Sequence, residues 1–330
     1  MSVPEFEKKV DYFLNRSVIL YGASNSGKST IIKDLLYTLK PHIPNALVIC
    51  PTNSLNGSYD NIIPRQLIHP EVCEQLLNDV LKRQSLSVKL HNMSNDLPKL
   101  RSIYNSLYQK DDQSLEKLEA AYNTVRERQP SHELDTAHEK NLISFYKRII
   151  TKNVKYIEQL ELSDPDKLLV KNININPNFL IIIDDAAVSA NKWCKYNSTK
   201  ELFFNGRHHR ITFMIAFQDD KPLDSMLRKN AFINIFTTEQ VCNTFFNRGA
   251  NNFTKKEKMS AEAASSKIFG DPSNIYRKLI YMRGLENPFS HYTAEITPDF
   301  VFGSSHLIKL CDQVSKNENE LDMFDFEKFF

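Results

Sequence analysis

Residues 22–29, with the sequence GASNSGKS, constrain this chain more than any other feature. They fit the pattern GxxxxGK[ST] and lie between a short apolar run, residues 18–21, and a helically periodic segment, residues 29–39. Glycine is scarce, with 8 in 330 residues, and a chance match to this pattern is expected only about 0.002 times in such a chain. The segment therefore predicts a strand, a phosphate-binding loop and a helix.

The residue types of this loop suit an anion. Gly22 and Gly27 permit backbone angles that close the loop and aim successive N–H groups at phosphate oxygens, and the following helix adds the positive end of its dipole. Lys28 is expected to pair with the β- and γ-phosphates of ATP, and the Ser29 hydroxyl to bind Mg²⁺. The predicted nucleotide-binding residues are Gly22, Ala23, Ser24, Asn25, Ser26, Gly27, Lys28, Ser29 and Thr30.

A second motif follows the apolar run at residues 179–183, which ends in Asp184 and Asp185. Ligands of parallel sheets bind at the carboxyl ends of the strands, so these acids and the loop can share one crevice. We expect Asp184 to hold Mg²⁺, directly or through water, and Asp185 to polarise the attacking water. Asp185 reaches one methylene less far than the glutamate usual at this position, and a pair that only caps the next turn is the alternative.

The apolar run at residues 211–217 ends at Gln218 and follows a basic turn, residues 206–210. An amide both donates and accepts, so Gln218 can sense the γ-phosphate and orient water, although a plain surface glutamine is the alternative. An arginine that reaches a neighbouring subunit's nucleotide would stabilise transition-state charge. The candidates are Arg207, Arg210, Arg228 and Arg248, and Arg207 or Arg210 is preferred among them. For any single one of the four, a solvated or structural role is the alternative and the more common one.

The remaining pattern predicts an α/β protein with a mainly parallel central sheet flanked by helices. Further strands are expected at 46–50, 232–236 and 279–282, and helices at 197–204, 239–248 and 255–267. Apolar residues at helical spacing predict about three amphipathic helices between the second and the acidic strand, which cover the sheet or form a partner-binding arm. The predicted organisation is an ATPase core at 1–69 and 171–300, a helical insertion at 70–170, and a C-terminal helix or acidic-aromatic tail at 301–330.

Composition excludes several classes of protein. The 42 basic residues nearly balance the 40 acidic ones, so a histone-like polycation is excluded. Any binding of nucleic acid must depend on local basic patches. Five dispersed cysteines without a CxxC pair argue against a disulfide framework or a structural zinc site. The charged start and the short apolar runs predict a soluble intracellular protein without a transmembrane segment.

The motif blocks at residues 22–29, 49–53, 181–185 and 206–218 resemble, in matching order, the genome-packaging ATPases of large double-stranded DNA viruses. This is the iridovirus and poxvirus type within the FtsK–HerA superfamily. The resemblance implies a P-loop NTPase of the additional-strand type, in which Lys28 and Ser29 bind nucleotide and metal and Gln218 is the sensor. It departs from the family pattern at Asp185, where glutamate is usual, and in its long helical insertion.

The same resemblance implies a homo-oligomeric ring that uses ATP to move double-stranded DNA into a preformed capsid. The implied partners are DNA, further copies of the chain, and capsid or membrane-vertex proteins, at an assembly site in the host cytoplasm and in the virion. Apart from the acidic tail, no acid cluster typical of a packaging nuclease follows Gln218, so we expect no DNA cleavage. Another P-loop enzyme, either a helicase or a nucleotide kinase, and a nucleotide-dependent capsid scaffold remain the alternatives.

Overall fold

A computed structural model describes residues 3–107, 113–152, 154–159, 161–218, 220–273 and 275–316. The chain forms two compact units. The sheet unit comprises Met1–Gln84 and Asn178–Phe330, and the helical unit comprises Ser85–Pro177. Of the predicted C-terminal helix or tail at 301–330, the described part contains a helix at Ser305–Lys316, and residues 317–330 lie outside the described residues.

The helical unit differs from the predicted insertion at 70–170 at both ends. Residues 70–84 belong to the sheet unit because Val72, Leu77 and Val80 are buried in its apolar core. Residues 171–177 belong to the helical unit because Ile173 is buried among its helices. Amphipathic spacing identified these segments as helical or connecting, but it carries no information about which core they join.

The described part of the sheet unit contains one sheet in the order β3-β2-β4-β5-β1-β6-β7-β8. Strands β1 to β6 are mutually parallel, whereas β7 and β8 each run antiparallel to the preceding neighbour. Strand β5 lies between β1 and β4, which is the additional strand that the resemblance implied. The strands are β1 (Ser17–Tyr21), β2 (Asn45–Ile49), β3 (Ile68–His69), β4 (Phe179–Ile183), β5 (Ile211–Phe217), β6 (Ile233–Phe236), β7 (Lys278–Met282) and β8 (Phe289–Tyr292).

Helices occupy most of the remaining described chain, with 3-10 segments at Arg65–Leu67, Val154–Gln159 and Gly249–Asn251. None of the described helices is long and apolar enough to cross a membrane. The helices are α1 (Val10–Phe13), α2 (Lys28–Leu39), α3 (Asn53–Asn56), α4 (Glu74–Met93), α5 (Leu97–Leu107), α6 (Gln113–Arg128), α7 (His132–Lys152), α8 (Asp164–Lys171), α9 (Ala190–Trp193), α10 (Asn197–Asn205), α11 (Ser225–Asn230), α12 (Glu239–Asn247), α13 (Lys255–Phe269) and α14 (Ser305–Lys316).

The central strands β4, β5 and β1 are almost entirely apolar because both faces of the sheet are covered. Ile181 of β4 packs into one core cluster with Phe245 of α12, and its neighbour Ile182 packs into the other with Leu35 of α2. Side chains of a strand alternate between faces, so the two clusters are the two sides of one sheet. This arrangement leaves the strand ends as the place where polar side chains can gather.

The helical unit has a core of its own. Leu100 of α5, Tyr146 and Ile150 of α7, and Leu169 of α8 are fully buried in one cluster. Helix α6, by contrast, has no buried residue. The described residues between 74 and 171 form five α-helices, where about three were predicted.

Candidate nucleotide-binding site

The carboxyl ends of β1, β5 and β6 meet at one level of the sheet. Their last residues are paired with one another, so Gly22, Gln218 and Thr237 each lie one residue beyond the same line. The N–H of Gly22 donates to the last carbonyl of β5 at 3.0 Å, and that of Thr237 to the last carbonyl of β1 at 3.0 Å. The strand order therefore places the glycine-rich loop between the predicted sensor and a threonine that the sequence did not single out.

The loop at 22–29 needs glycine where it passes β6. A Cβ placed on Gly22 would lie 1.8 Å from Thr237 Oγ1 and 2.6 Å from Ser26 Oγ, so a larger residue would force the loop away. Gly27 has a φ of +91° and Asn25 a φ of +61°, both in the left-handed region that glycine and asparagine tolerate best. These positions close the loop tightly over the end of β1.

The N-terminus of α2 faces this loop without a side-chain cap. Gly27 occupies the cap position, no acid lies in the first turn, and the helix's own bonding begins with Ile31 N–H donating to Gly27 O at 3.1 Å. The N–H groups of Lys28, Ser29 and Thr30 therefore have no acceptor within the helix. An uncapped helix start of this kind is suited to binding an anionic phosphate.

Lys28 connects the loop with the acidic strand. Its Nζ donates to Gly22 O at 2.6 Å and to Ala23 O at 2.8 Å, and the side chain is nearly buried. Burial lowers the pKa of Lys28, while the nearby charges of Asp184 and Asp185 act to raise it. The structure thus brings the loop lysine and both predicted carboxylates into one electrostatic site.

Asp184 is almost fully buried, at 3% exposure. Its Oδ2 accepts from the Tyr59 hydroxyl at 2.8 Å and its Oδ1 from the Asp185 N–H at 3.0 Å. Burial raises the pKa of Asp184 and the charge of Asp185 raises it further, against the hydrogen bond from Tyr59 and the charge of Lys28. A buried carboxylate with only partly compensated charge is a site where a cation is stabilising.

Asp185 is exposed and is oriented from another strand. Its φ of +54° turns the chain after β4, and its Oδ2 accepts from the Thr52 hydroxyl at 2.8 Å. The Thr52 oxygen in turn accepts from Asn56 Nδ2 at 3.2 Å. This carboxylate is therefore positioned by the chain after β2, in an arrangement unlike that of a local turn cap.

Gln218 reaches the loop directly. Its Nε2 donates to Ser24 Oγ at 3.4 Å, from the exposed end of β5. The structure therefore assembles the loop, Lys28, Asp184, Asp185 and Gln218 at one edge. Sequence reasoning missed Tyr59, which no motif marks, and Thr52, which lay within a motif block but had no role assigned.

Arg207 and Arg210 lie at the opposite edge of the sheet. They precede β5, and the carbonyl of Arg210 accepts from the first N–H of β4 at 3.0 Å. Strand β5 has seven residues, which corresponds to roughly 20 Å of extended chain. Neither arginine can therefore reach the loop of its own chain, so a role in hydrolysis would require the site of a neighbouring subunit.

The other two arginine candidates have structural partners. Arg228 is buried and donates to Asn251 Oδ1 at 2.7 Å, to Asp220 O at 2.7 Å and to Leu223 O. Arg248 makes a two-pronged ion pair with Asp220, at 2.6 and 2.7 Å. Both guanidinium groups are thus engaged within their own chain, which excludes Arg228 and disfavours Arg248 as a group that reaches outward.

The residues present fit a magnesium ion held together with a nucleotide. The described chain contains no group of three His, Cys, Asp or Glu side chains that could hold a metal alone. Mg²⁺ bound with phosphates, however, needs only one or two protein oxygens and keeps several waters. The exposed Ser29 hydroxyl and the incompletely compensated Asp184 carboxylate supply that kind of donor set.

The sheet order and the loop define a P-loop NTPase of the additional-strand class. No protein-family model matches the chain. It is 31% identical over 343 aligned positions to the uncharacterized protein B354L of African swine fever virus (isolate Tick/Malawi/Lil 20-1/1983), with 97% of this chain and 94% of that protein covered. The chain therefore belongs to the B354L family.

Other similarities lie in the same group of viruses. The chain is 23% identical over 217 positions to the uncharacterized protein L437 of Acanthamoeba polyphaga mimivirus, with 66% and 50% of the two chains covered. The expectation that its relatives are proteins of large DNA viruses is confirmed.

Two solved structures are also similar to the chain. One is the genome packaging NTPase B204 from Sulfolobus turreted icosahedral virus 2 in complex with ATP-gammaS, at 16% identity and a TM-score of 0.37, with 86% and 98% of the two chains covered. The other is the plasmid coupling protein TrwB with the GTP analogue GDPNP, at 11% identity and a TM-score of 0.37, with 92% and 91% covered. The fold assignment depends on the observed sheet order rather than on scores of this size.

Proposed function

We propose that the chain is an ATP-driven translocase that packages double-stranded viral DNA into a capsid. The observation that carries the hydrolytic part is the meeting of Lys28, Asp184, Asp185 and Gln218 at the carboxyl ends of β1, β4 and β5. The packaging part is supported by the order of the motif blocks and by relatives in large DNA viruses.

In this proposal the loop and the start of α2 bind the triphosphate through backbone N–H groups. Lys28 exchanges its two loop carbonyls for β- and γ-phosphate oxygens, which stabilises the charge that develops on phosphoryl transfer. Ser29 and Asp184 would hold Mg²⁺, which neutralises phosphate charge when bound. Asp185, oriented by Thr52, polarises the attacking water, and Gln218 responds to the γ-phosphate.

The proposal includes a homo-oligomeric ring because Arg207 and Arg210 lie away from their own site. Arg207 lines a cavity of about 320 Å³ together with Arg16, Lys229 and Arg283. None of the described residues that line it carries a carboxylate. A basic hollow of this kind suits a phosphate group presented by a neighbouring subunit, where an arginine stabilises the transition state in trans.

The first test compares ATP hydrolysis with and without long duplex DNA. We expect stimulation by duplex, and a loss of about 100-fold or more in kcat for Lys28→Ala. Lys309→Ala is the matched control, because Lys309 is exposed on α14. Slow ATP hydrolysis that DNA does not stimulate would favour a scaffold. Transfer of the phosphate to an acceptor molecule would favour a kinase. Either result would contradict the proposal.

The second test mixes two inactive variants. Lys28→Ala subunits keep their arginines and Arg207→Ala subunits keep their nucleotide sites, so a mixed ring contains some interfaces with both parts intact. We expect the mixture to regain part of the ATPase activity, and the mass in solution with ATP and Mg²⁺ to correspond to an oligomer. Absence of recovery in an oligomer of the correct mass would argue against action of Arg207 in trans.

Further parts of the proposal concern cleavage, partners and place. We propose that the chain does not cut DNA, which incubation of supercoiled DNA with the active enzyme and Mg²⁺ tests directly. We also propose that it acts at the viral assembly site in the host cytoplasm, and in the virion, with capsid or membrane-vertex proteins as partners. Detection of the chain only in another compartment would contradict this placement.

A further inference from the structure

A second lysine lies beside the phosphate-binding loop. Strand β7 runs antiparallel to β6, so its first residue, Lys278, is at the edge where the parallel strands end. Because Leu279 pairs with Phe236, Lys278 is level with Thr237, which directly follows β6. A Cβ placed on Gly27 would lie 3.6 Å from Lys278 Cε, so the end of the lysine side chain lies beside the loop at Gly27.

The Lys278 ammonium has no carboxylate partner in the described chain. Its side chain is half-buried, and burial lowers the pKa of Lys278 with no acid acting in the opposite direction. Lys28 differs, because Asp184 and Asp185 offset part of its burial. The adjoining Thr237 hydroxyl is likewise buried and has no hydrogen-bond partner among the described residues. An unpaired cation and an unused hydroxyl therefore adjoin the loop on the same side.

We propose that Lys278 binds the nucleotide at its α-phosphate, as a second cationic residue of the site. This inference rests on the proposed function, which supplies the nucleotide. The order of the strands decides which phosphate is contacted. The acids and Gln218 follow β4 and β5 on one side of β1, and they mark the γ-phosphate end. Lys278 comes from β7, beyond β6 on the other side, and so faces the nucleoside end.

The test measures binding of ATP, ADP and AMP by calorimetry to the full chain and to Lys278→Met. A charge-assisted contact to a phosphate is worth about tenfold in affinity. Because all three nucleotides carry the α-phosphate, we expect the affinity for each to fall by a similar factor, about tenfold. Lys28→Ala provides the contrast, since it is expected to lower the affinity for ATP more than the affinity for AMP. Lys309→Met is the matched control and is expected to bind all three as the unaltered chain does.

Lys278→Arg separates binding from a structural role. An arginine keeps the charge, so affinity is expected to recover to within a few-fold, and the thermal midpoint without nucleotide is expected to be unchanged in both variants. Unaltered ADP and AMP affinity in Lys278→Met, or a loss for ATP alone, would overturn the proposal while the proposed function stands. A lowered midpoint without recovery by arginine would also overturn it. Failure of the unaltered chain to bind any nucleotide would overturn both.

Discussion

The sheet unit and the helical unit differ in whether they bury charged side chains. Every buried charged side chain in the described chain belongs to the sheet unit. They are Lys28, Asp34, Asp184, Asp220 and Arg228. The described part of the helical unit buries apolar and aromatic side chains and a few uncharged polar ones, such as Ser94.

This difference has an energetic meaning. Removing a charge from water costs several kcal/mol, and a network of partners offsets that cost only when each group is satisfied. Of these five groups, Lys28 and Asp184 belong to the candidate nucleotide-binding site and Asp220 and Arg228 form an ion-pair network, whereas apolar packing holds the helices of the described helical unit together. We therefore infer that the catalytic role belongs to the sheet unit, and the following predictions test that division.

The largest effect is expected from Asp220→Ala. Asp220 is buried and forms the ion pair with Arg248. Its Oδ2 also lies 3.7 Å from Arg228 Nε. Its removal would leave the buried Arg228 guanidinium uncompensated and lower the free energy of unfolding of the sheet unit by about 4 kcal/mol. Denaturant unfolding monitored by hydrogen exchange in each unit measures this.

Lys99→Ala is the control in the helical unit. The Lys99–Asp166 pair is short, at 2.5 Å, but both side chains are partly exposed to solvent. Its loss is expected to cost at most about 1 kcal/mol. Equal costs for the two substitutions would show that burial of charge does not distinguish the units.

The next effect concerns the apolar core of the helical unit. Leu100→Ala leaves a cavity at a fully buried position and is expected to cost about 3 kcal/mol, with nucleotide affinity unchanged. Leu86→Ala, at a position 46% exposed on α4, is the control and is expected to change little. If ATP affinity falls in Leu100→Ala but not in Leu86→Ala, the two units are energetically coupled.

A smaller effect is expected from Gly22→Ala. The new Cβ would meet Thr237 Oγ1, so the loop must shift, at a cost of about 2 kcal/mol, or about 30-fold in ATP affinity. Gly249→Ala is the control, because a Cβ there has no atom within 4 Å. Calorimetry measures the ATP affinity of both variants. If Gly22→Ala binds ATP as tightly as the unaltered chain, the described geometry of the loop is contradicted.

The smallest effect is expected from Tyr59→Phe. The substitution removes only the hydroxyl that donates to Asp184, so the fold is retained while the carboxylate loses one positioning contact. Loss of such a partner is expected to lower turnover about tenfold, or roughly 1.4 kcal/mol. Tyr37→Phe, at a side chain 42% exposed on α2, is the control. Unchanged turnover in Tyr59→Phe would show that the Tyr59 hydroxyl does not contribute to hydrolysis.

Local patterns predicted the elements that carry the main motifs. Strands β4 and β5 have the bounds that their apolar runs predicted, and the helix after the loop spans Lys28–Leu39, where the periodicity indicated residues 29–39. Continuous apolar runs are reliable here because buried parallel strands need apolar side chains on both faces. The loop itself was predicted because its glycines and lysine are required by the local geometry of phosphate binding.

Short and late elements were missed. Strand β3 has two residues and β8 four, and neither has a pattern that distinguishes it from a loop. Each is a strand only because its neighbour in the sheet provides hydrogen bonds, and that neighbour is set by topology. The bounds of the helical unit differ from those of the predicted insertion for a related reason, since an amphipathic helix does not specify which core it covers.

The sequence by itself determined the class of this protein, because a phosphate-binding loop after one strand and paired aspartates after another are local features. Only the tertiary structure decided which other residues join them. Tyr59 and Thr52 reach the aspartates through the chain after β2, Lys278 reaches the loop through an antiparallel strand, and Arg207 is separated from it by the length of β5. Strand order and direction set these distances, and both arise from packing between residues far apart in the chain.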